Sequence, residues 1–147
     1  MLVTRTIGRA ARSERLLVAR DGAEAVRILK TYLLPALVLL DLKLPRLSGM
    51  EVLSAVREDE RLLAMPIVIL TSGGDQSEVA ACYALGCNAF VRKNIDYHCY
   101  VQELTRTLEF WLDINCLPPI DAPDETSQTA VPTEAAVVGL GASVFLR

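Results

Sequence analysis

The sequence predicts an α/β protein with a doubly wound parallel sheet. Three observations carry that expectation. Short apolar runs alternate with stretches of helical periodicity four times, the connections between them are short, and the runs are apolar at every position. Uninterrupted apolar runs belong to strands covered on both faces, and strand–helix alternation at short spacing gives parallel strands joined by right-handed crossovers. With 147 residues, 52% hydrophobic and 22% charged, the chain has the size and composition of one packed domain.

Taken in order, Leu16 to Ala19 is a short apolar run closed by Asp21-Gly22, a strand stopped by a turn. Ala23 to Leu33 places Ala25, Val26, Leu29 and Leu33 on one helical face. Leu37 to Leu40 is a second strand that stops at Asp41, and Leu42 to Ser48, with Pro45 inside it and Gly49 after it, is a loop. Val52, Leu53 and Val56 mark a helix from Met50 to Val56. Pro66 opens a third strand, Ile67 to Leu70, closed by Thr71-Ser-Gly-Gly-Asp75. Ser77 is expected as the N-cap of a helix that reaches Leu85 and stops at Gly86. Ala89 to Val91 is a short strand followed by Arg92-Lys93-Asn94. A last helix, about Tyr97 to Leu112, turns Val101, Leu104, Leu108 and Trp111/Leu112 inward.

Beyond Leu117 the character changes. Pro118-Pro119 ends the helix and residues 120–134 are rich in Pro, Asp, Glu, Ser and Thr, the composition of a linker. Ala135 to Leu146 turns apolar again, and its Gly139-Leu-Gly141 lacks the third glycine of a dinucleotide-binding turn. The expected organisation is a domain over 1–117, a polar linker over 118–134 and an apolar tail of unassigned role over 135–147.

A formal net charge of −3 gives no basic footprint for nucleic acid or an anionic membrane. The longest apolar run, Leu33 to Leu40, is interrupted by Pro35 and falls far short of the roughly 20 residues that span a bilayer. The Arg-rich start has no apolar block of a secretory signal, so a cytoplasmic protein is expected. Cys82, Cys87, Cys99 and Cys116 show no C-x-x-C spacing, and buried reduced thiols explain the first two better than a metal or redox site.

In open parallel sheets, chemistry collects at the carboxyl ends of the strands. Asp41, Thr71 and Lys93 stand at three such ends. Each alone has an ordinary explanation: a turn or cap, a hydrogen-bonding turn residue, a solvated amine. Together they suit phosphoryl chemistry. A carboxylate can take a phosphoryl group as an acyl phosphate, and the charge on its oxygens calls for fixed positive charge, hydroxyl donors and a hard divalent cation.

Leu39-Leu-Asp-Leu-Lys-Leu-Pro45 followed by Gly49 resembles the phosphoacceptor loop of response-regulator receiver domains. Pro66-Ile-Val-Ile-Leu-Thr-Ser72 resembles their fourth strand, and Asn88-Ala-Phe-Val-Arg-Lys93 their fifth. The likeness covers roughly residues 2–117, and the ending Glu109-Phe-Trp-Leu112 with Leu117-Pro118 is similar to small stand-alone receivers that partner phytochrome-type histidine kinases. The resemblance implies a flavodoxin-like fold of strand order 2-1-3-4-5 and a non-enzymatic role in two-component phosphorelay signalling. It implies that Asp41 accepts a phosphoryl group from a sensor histidine kinase and, with the Lys43 carbonyl, binds Mg²⁺. It further implies that Thr71 and Lys93 contact the phosphoryl group and that Phe90 is the aromatic switch. Core packing is the plainer reading of Phe90. Phe110 and Trp111 are candidates for a homodimer contact, and packing explains them equally well.

The sequence departs from the family at its start. Receivers open with a strand ending in two acids that complete the Mg²⁺ site, and family spacing puts that pair ahead of Met1. Met1 to Arg12 instead resembles the first helix, and Glu14 is the only acid before Arg20. Mg²⁺ binding is therefore expected to be weakened or lost. An empty central position would leave a slot of about 9–10 Å between strands normally about 4.8 Å apart, which a domain of about 5–15 kcal/mol stability does not survive. The leading expectation is a reading frame that begins upstream. The alternatives are that Val137–Leu146 docks as a substitute strand, that the remaining strands close up, or that the chain folds only with a partner. Asn94, where most receivers have proline, is a smaller departure.

Three functional readings follow: a phosphorylated receiver acting by protein contact, a phosphorylation-impaired pseudo-receiver acting as a binding module, and an aspartyl-phosphate phosphatase. The last needs a second acid two residues after the nucleophile, where Lys43 stands.

Overall fold

The computed structural model describes residues 16–31, 35–118 and 143–146. The elements are β1 (Leu16–Ala19), α1 (Gly22–Thr31), β2 (Leu37–Leu40), α2 (Gly49–Arg57), a 3-10 turn (Glu60–Leu62), β3 (Ile67–Thr71), α3 (Gln76–Ala84), β4 (Ala89–Arg92), α4 (Tyr97–Glu109) and β5 (Ser143–Leu146). Within the described residues the four predicted strands and their helices are present, with ends shifted by one to three residues. The helix expected over Met1–Arg12 lies outside the described residues, as does the linker beyond Pro118.

The sheet order is β1-β5-β2-β3-β4. β2, β3 and β4 run parallel, with Val38 opposite Ile67 and Thr71 opposite Arg92. Every residue of β2 and β3 is buried, which is why both read as unbroken aliphatic runs. Each such Val, Leu or Ile contributes roughly 1.5–3 kcal/mol on burial. Val52, Leu53 and Val56 of α2 and Leu104 and Leu108 of α4 complete the core.

The position between β1 and β2 is occupied by β5. Ser143–Leu146 lies between β1 and β2 and pairs antiparallel with both, Leu146 opposite Leu16 and Leu37, and Val144 opposite Val18 and Leu39. The sheet is therefore mixed rather than wholly parallel, and the end of the apolar tail is a central strand. Residues 137–142, the rest of the segment expected to dock, lie outside the described residues.

Helix starts are set by side-chain caps. Ser48 and Glu51 form a capping box on α2, Ser48 Oγ accepting from the Glu51 N–H and the Glu51 carboxylate from the Ser48 N–H at 2.7 Å. The expected Ser77 cap is corrected to Asp75, whose Oδ1 accepts from the Glu78 N–H at 2.9 Å; Ser77 sits inside the first turn and donates to the same oxygen at 2.6 Å. A carboxylate two residues earlier outcompetes a hydroxyl for the free amides and the helix dipole. Asp96 caps α4 in the same way. The last turn of α4 widens into a π turn over Phe110–Ile114, closed by the Asn115 N–H on the Phe110 carbonyl at 2.7 Å. Gly86 has φ +97, the left-handed geometry expected of a residue that ends a helix.

Candidate functional site

Asp41, Thr71 and Lys93 meet at one end of the parallel strands. Asp41 follows β2 directly, Thr71 ends β3 and Lys93 follows β4. The Lys93 ammonium pairs with Asp41 Oδ2 at 2.5 Å, and both side chains are only 6% exposed. Asp41 Oδ1 accepts the Lys43 N–H at 3.0 Å. The Lys93 N–H donates to the Thr71 carbonyl at 2.8 Å, tying the ends of β3 and β4 together. Thr71 is 1% exposed. A lysine here would ordinarily be solvated. Its burial is offset because the acid it pairs with is buried beside it.

The loop after Asp41 is held by a glycine. The Gly49 N–H donates to the Leu42 carbonyl at 2.9 Å, and a Cβ on Gly49 would stand 2.2 Å from the Asp41 carbonyl oxygen. No side chain fits there, so Gly49 brings α2 close against Asp41. Lys43 projects from this loop and its ammonium lies near Gly73.

Phe90 sits in β4 and packs partly buried against the core. Its ring covers Gly74, where a Cβ would come within 2.7 Å of the ring edge. The loop that follows Thr71 is therefore in contact with the aromatic ring. Asn94 sits in a trans backbone, its Oδ1 accepting from the Asp96 N–H at 3.0 Å and its Nδ2 donating to Glu103 at 3.3 Å.

Metal-binding capacity follows from the donors present. Asp41 supplies one carboxylate and Lys43 one backbone carbonyl, and no group of three or more His, Cys, Asp or Glu occurs among the described residues. Mg²⁺ commonly binds one or two carboxylates and keeps several waters, so these donors fit the acceptor side of such a site and leave its acidic pair unsupplied. Cys82 and Cys87 are buried free thiols, and burial pushes the Cys87 pKa up to about 11. Cys82 is on α3 and Cys87 in the turn after it.

One residue of this region was not singled out from the sequence. Tyr100, in the first turn of α4, is 6% exposed and its hydroxyl has no hydrogen-bond partner among the described residues. Burial, and next the negative charge of Asp41, raise its pKa above the ordinary tyrosine value. The signal was present: Tyr100, Leu104 and Leu108 recur at a spacing of four, which puts a phenol on the inward stripe.

Residues 2–105 match the response regulator receiver domain family. The chain belongs to that family. The receiver is 32% identical over 123 residues to the probable methanogenesis regulatory protein FilR2 of Methanothrix harundinacea, covering 80% of this chain and 79% of that one. It is 29% identical over 123 residues to the response regulator Rcp1 of Synechocystis, covering 80% and 84%. The crystal structure of the phosphorylated cyanobacterial phytochrome response regulator RcpA superposes with a TM-score of 0.71 at 28% identity, over 80% of this receiver and 91% of RcpA. A crystal structure of Rcp1 is of its Mn²⁺-bound form. The flavodoxin-like receiver fold and the place of this chain in two-component signalling follow from these likenesses. No helix among the described residues is long and apolar enough to cross a membrane.

Proposed function

We propose that this receiver is a cytoplasmic, non-enzymatic response regulator that takes a phosphoryl group from a sensor histidine kinase onto Asp41 and signals by protein contact. The observation that carries the reading is the buried Asp41–Lys93 pair beside Thr71 at the carboxyl ends of three parallel strands. In the transfer, an Asp41 carboxylate oxygen bonds to phosphorus as the phosphorus–nitrogen bond of the kinase phosphohistidine breaks, and the nitrogen keeps that electron pair. Lys93 then neutralises one phosphoryl oxygen and the Thr71 hydroxyl donates to another. Asp41 and the Lys43 carbonyl would hold Mg²⁺, which supplies charge neutralisation at the remaining oxygens, and hold it weakly without a further acid.

Drawing Thr71 toward the phosphoryl group moves the loop that Phe90 covers at Gly74, so the ring is the element that would repack. The surface altered is that of β4 and α4. The kinship to RcpA supports a phytochrome-type kinase as the partner. Phe110 and Ile114, exposed at the end of α4, are the apolar residues a homodimer contact would use.

The test is intact-mass spectrometry after incubation with Mg²⁺ and acetyl phosphate, beside an Asp41→Asn control. A phosphoryl adduct confined to the wild type is expected. Folded protein that forms none would turn the reading to a pseudo-receiver that keeps the contact surface without the switch.

A further inference from the structure

Tyr100 is a buried donor with no hydrogen-bond partner among the described residues. Buried polar groups are nearly always paired, and leaving one unpaired is costly. Packing alone does not explain a phenol at this position, because phenylalanine would fill the same volume without the orphaned oxygen. The topology places it at the site end of the sheet. β4 ends at Arg92, Lys93 follows, and α4 begins at Tyr97, so α4 starts close in the chain to Lys93 at the carboxyl end of β4. There Tyr100 points inward with Leu104 and Leu108, and the charge of Asp41 reaches its hydroxyl.

We infer that the Tyr100 hydroxyl is a further hydrogen-bond donor to the phosphoryl group carried on Asp41, completing a donor set with Thr71 and Lys93. This rests on the acceptor reading of Asp41. The raised pKa keeps the phenol protonated through neutral pH, so it can only add a donor and never a repelling charge. Before phosphorylation the hydroxyl waits unpaired, and the new oxygens supply the partner. The hydroxyl thereby favours the phosphorylated state over the free one, since it is satisfied only in the former.

The test uses beryllofluoride, a phosphoryl mimic, added with Mg²⁺ to the full chain. Tyr100→Phe keeps the ring and removes only the donor. A hydrogen bond to a charged group implies that its loss weakens beryllofluoride binding about tenfold or more, read by ¹⁹F NMR. In wild-type protein carrying ¹³Cζ-labelled tyrosine, the Tyr100 resonance is expected to move when beryllofluoride binds. Tyr32→Phe, Tyr83→Phe and Tyr97→Phe assign it by elimination, so the wild-type arm decides even where Tyr100→Phe fails to fold. Bound fluoride with an unmoved Tyr100 resonance, or with equal affinity in the folded variant, would overturn this inference alone. Absence of any bound fluoride in the wild type would overturn the acceptor reading and this inference with it.

Discussion

The two sides of β2 are built differently. On one side β3 and β4 continue the parallel order, so Asp41, Thr71 and Lys93 emerge at the same end of the sheet. On the other side β5 runs antiparallel, with Leu146 beside Leu37 at the start of β2 and Ser143 beside Ala19 at the end of β1. The end of the sheet that holds the site therefore meets the amino end of β5, not its carboxyl end. A reversed strand satisfies the backbone ladder and closes the gap, but it cannot deliver side chains from a strand's carboxyl end into the pocket. Sheet integrity and the supply of metal-binding acids are thus separable problems, and β5 answers only the first.

Breaking the β5 side has the largest expected effect. Val144 pairs with Val18 on one side and Leu39 on the other, so a proline there removes a ladder bond at the middle of an interior strand. Deleting Ser143–Leu146 orphans backbone groups on both neighbours at about 1–3 kcal/mol each. Against a total of about 5–15 kcal/mol, the deleted protein is expected to lose its cooperative unfolding transition in urea. Val144→Pro should lower the midpoint sharply. An unchanged transition in both would mean that β5 does not hold the slot, and the comparison between the two sides would collapse.

Breaking the parallel side should cost less and be reversible by design. Lys93→Met strips the Asp41 carboxylate of its buried partner, for an expected loss of about 3–5 kcal/mol. Adding Asp41→Asn removes the stranded charge and should return much of that loss. The double-mutant cycle, read by urea denaturation, measures how tightly the ends of β2 and β4 are coupled. If Lys93→Met alone costs nothing, the pair is not desolvated and the site is more open than its exposure implies.

The same division marks how much the sequence disclosed. β2 and β3 were legible because burial on both faces leaves one residue class at every position, and the site residues were legible because parallel order fixes where strand ends fall. β5 was legible as an apolar segment and, as one alternative, as a substitute strand, but not in its direction. Its direction depends on a pairing far away in the chain, which no local periodicity encodes. Arg57 shows another limit. It reads as a basic residue in the last turn of α2, yet it is half-buried and donates to the carbonyls of Gly86, Leu62, Leu63 and Met65 and to the Asn88 side chain. Desolvation lowers its pKa, and carbonyl oxygens, not an acid, hold the charge. Tyr100 was hidden for the opposite reason, because an inward phenol looks like core until its hydroxyl is found without a partner.

The smallest effect sharpens the comparison through pH. Asp75 and Asp96 cap α3 and α4, the helices that flank β4, and both titrate below the ordinary carboxylate value of 3.8. For Asp75 the Ser77 hydroxyl contributes most, and for Asp96 the Cys99 amide. A carboxyl with a depressed folded pKa stabilises fully above its unfolded value, and that contribution is lost as pH falls through the folded value. Acid should therefore loosen the β4 side through its helix caps. Asp96→Asn keeps a capping oxygen but removes the titration. Thermal melts from pH 6 down to about 2 should show a shallower fall for Asp96→Asn than for the wild type. Equal slopes would mean that the acid sensitivity of the fold is set elsewhere, and the caps of the parallel side would be neutral fasteners rather than titrating ones.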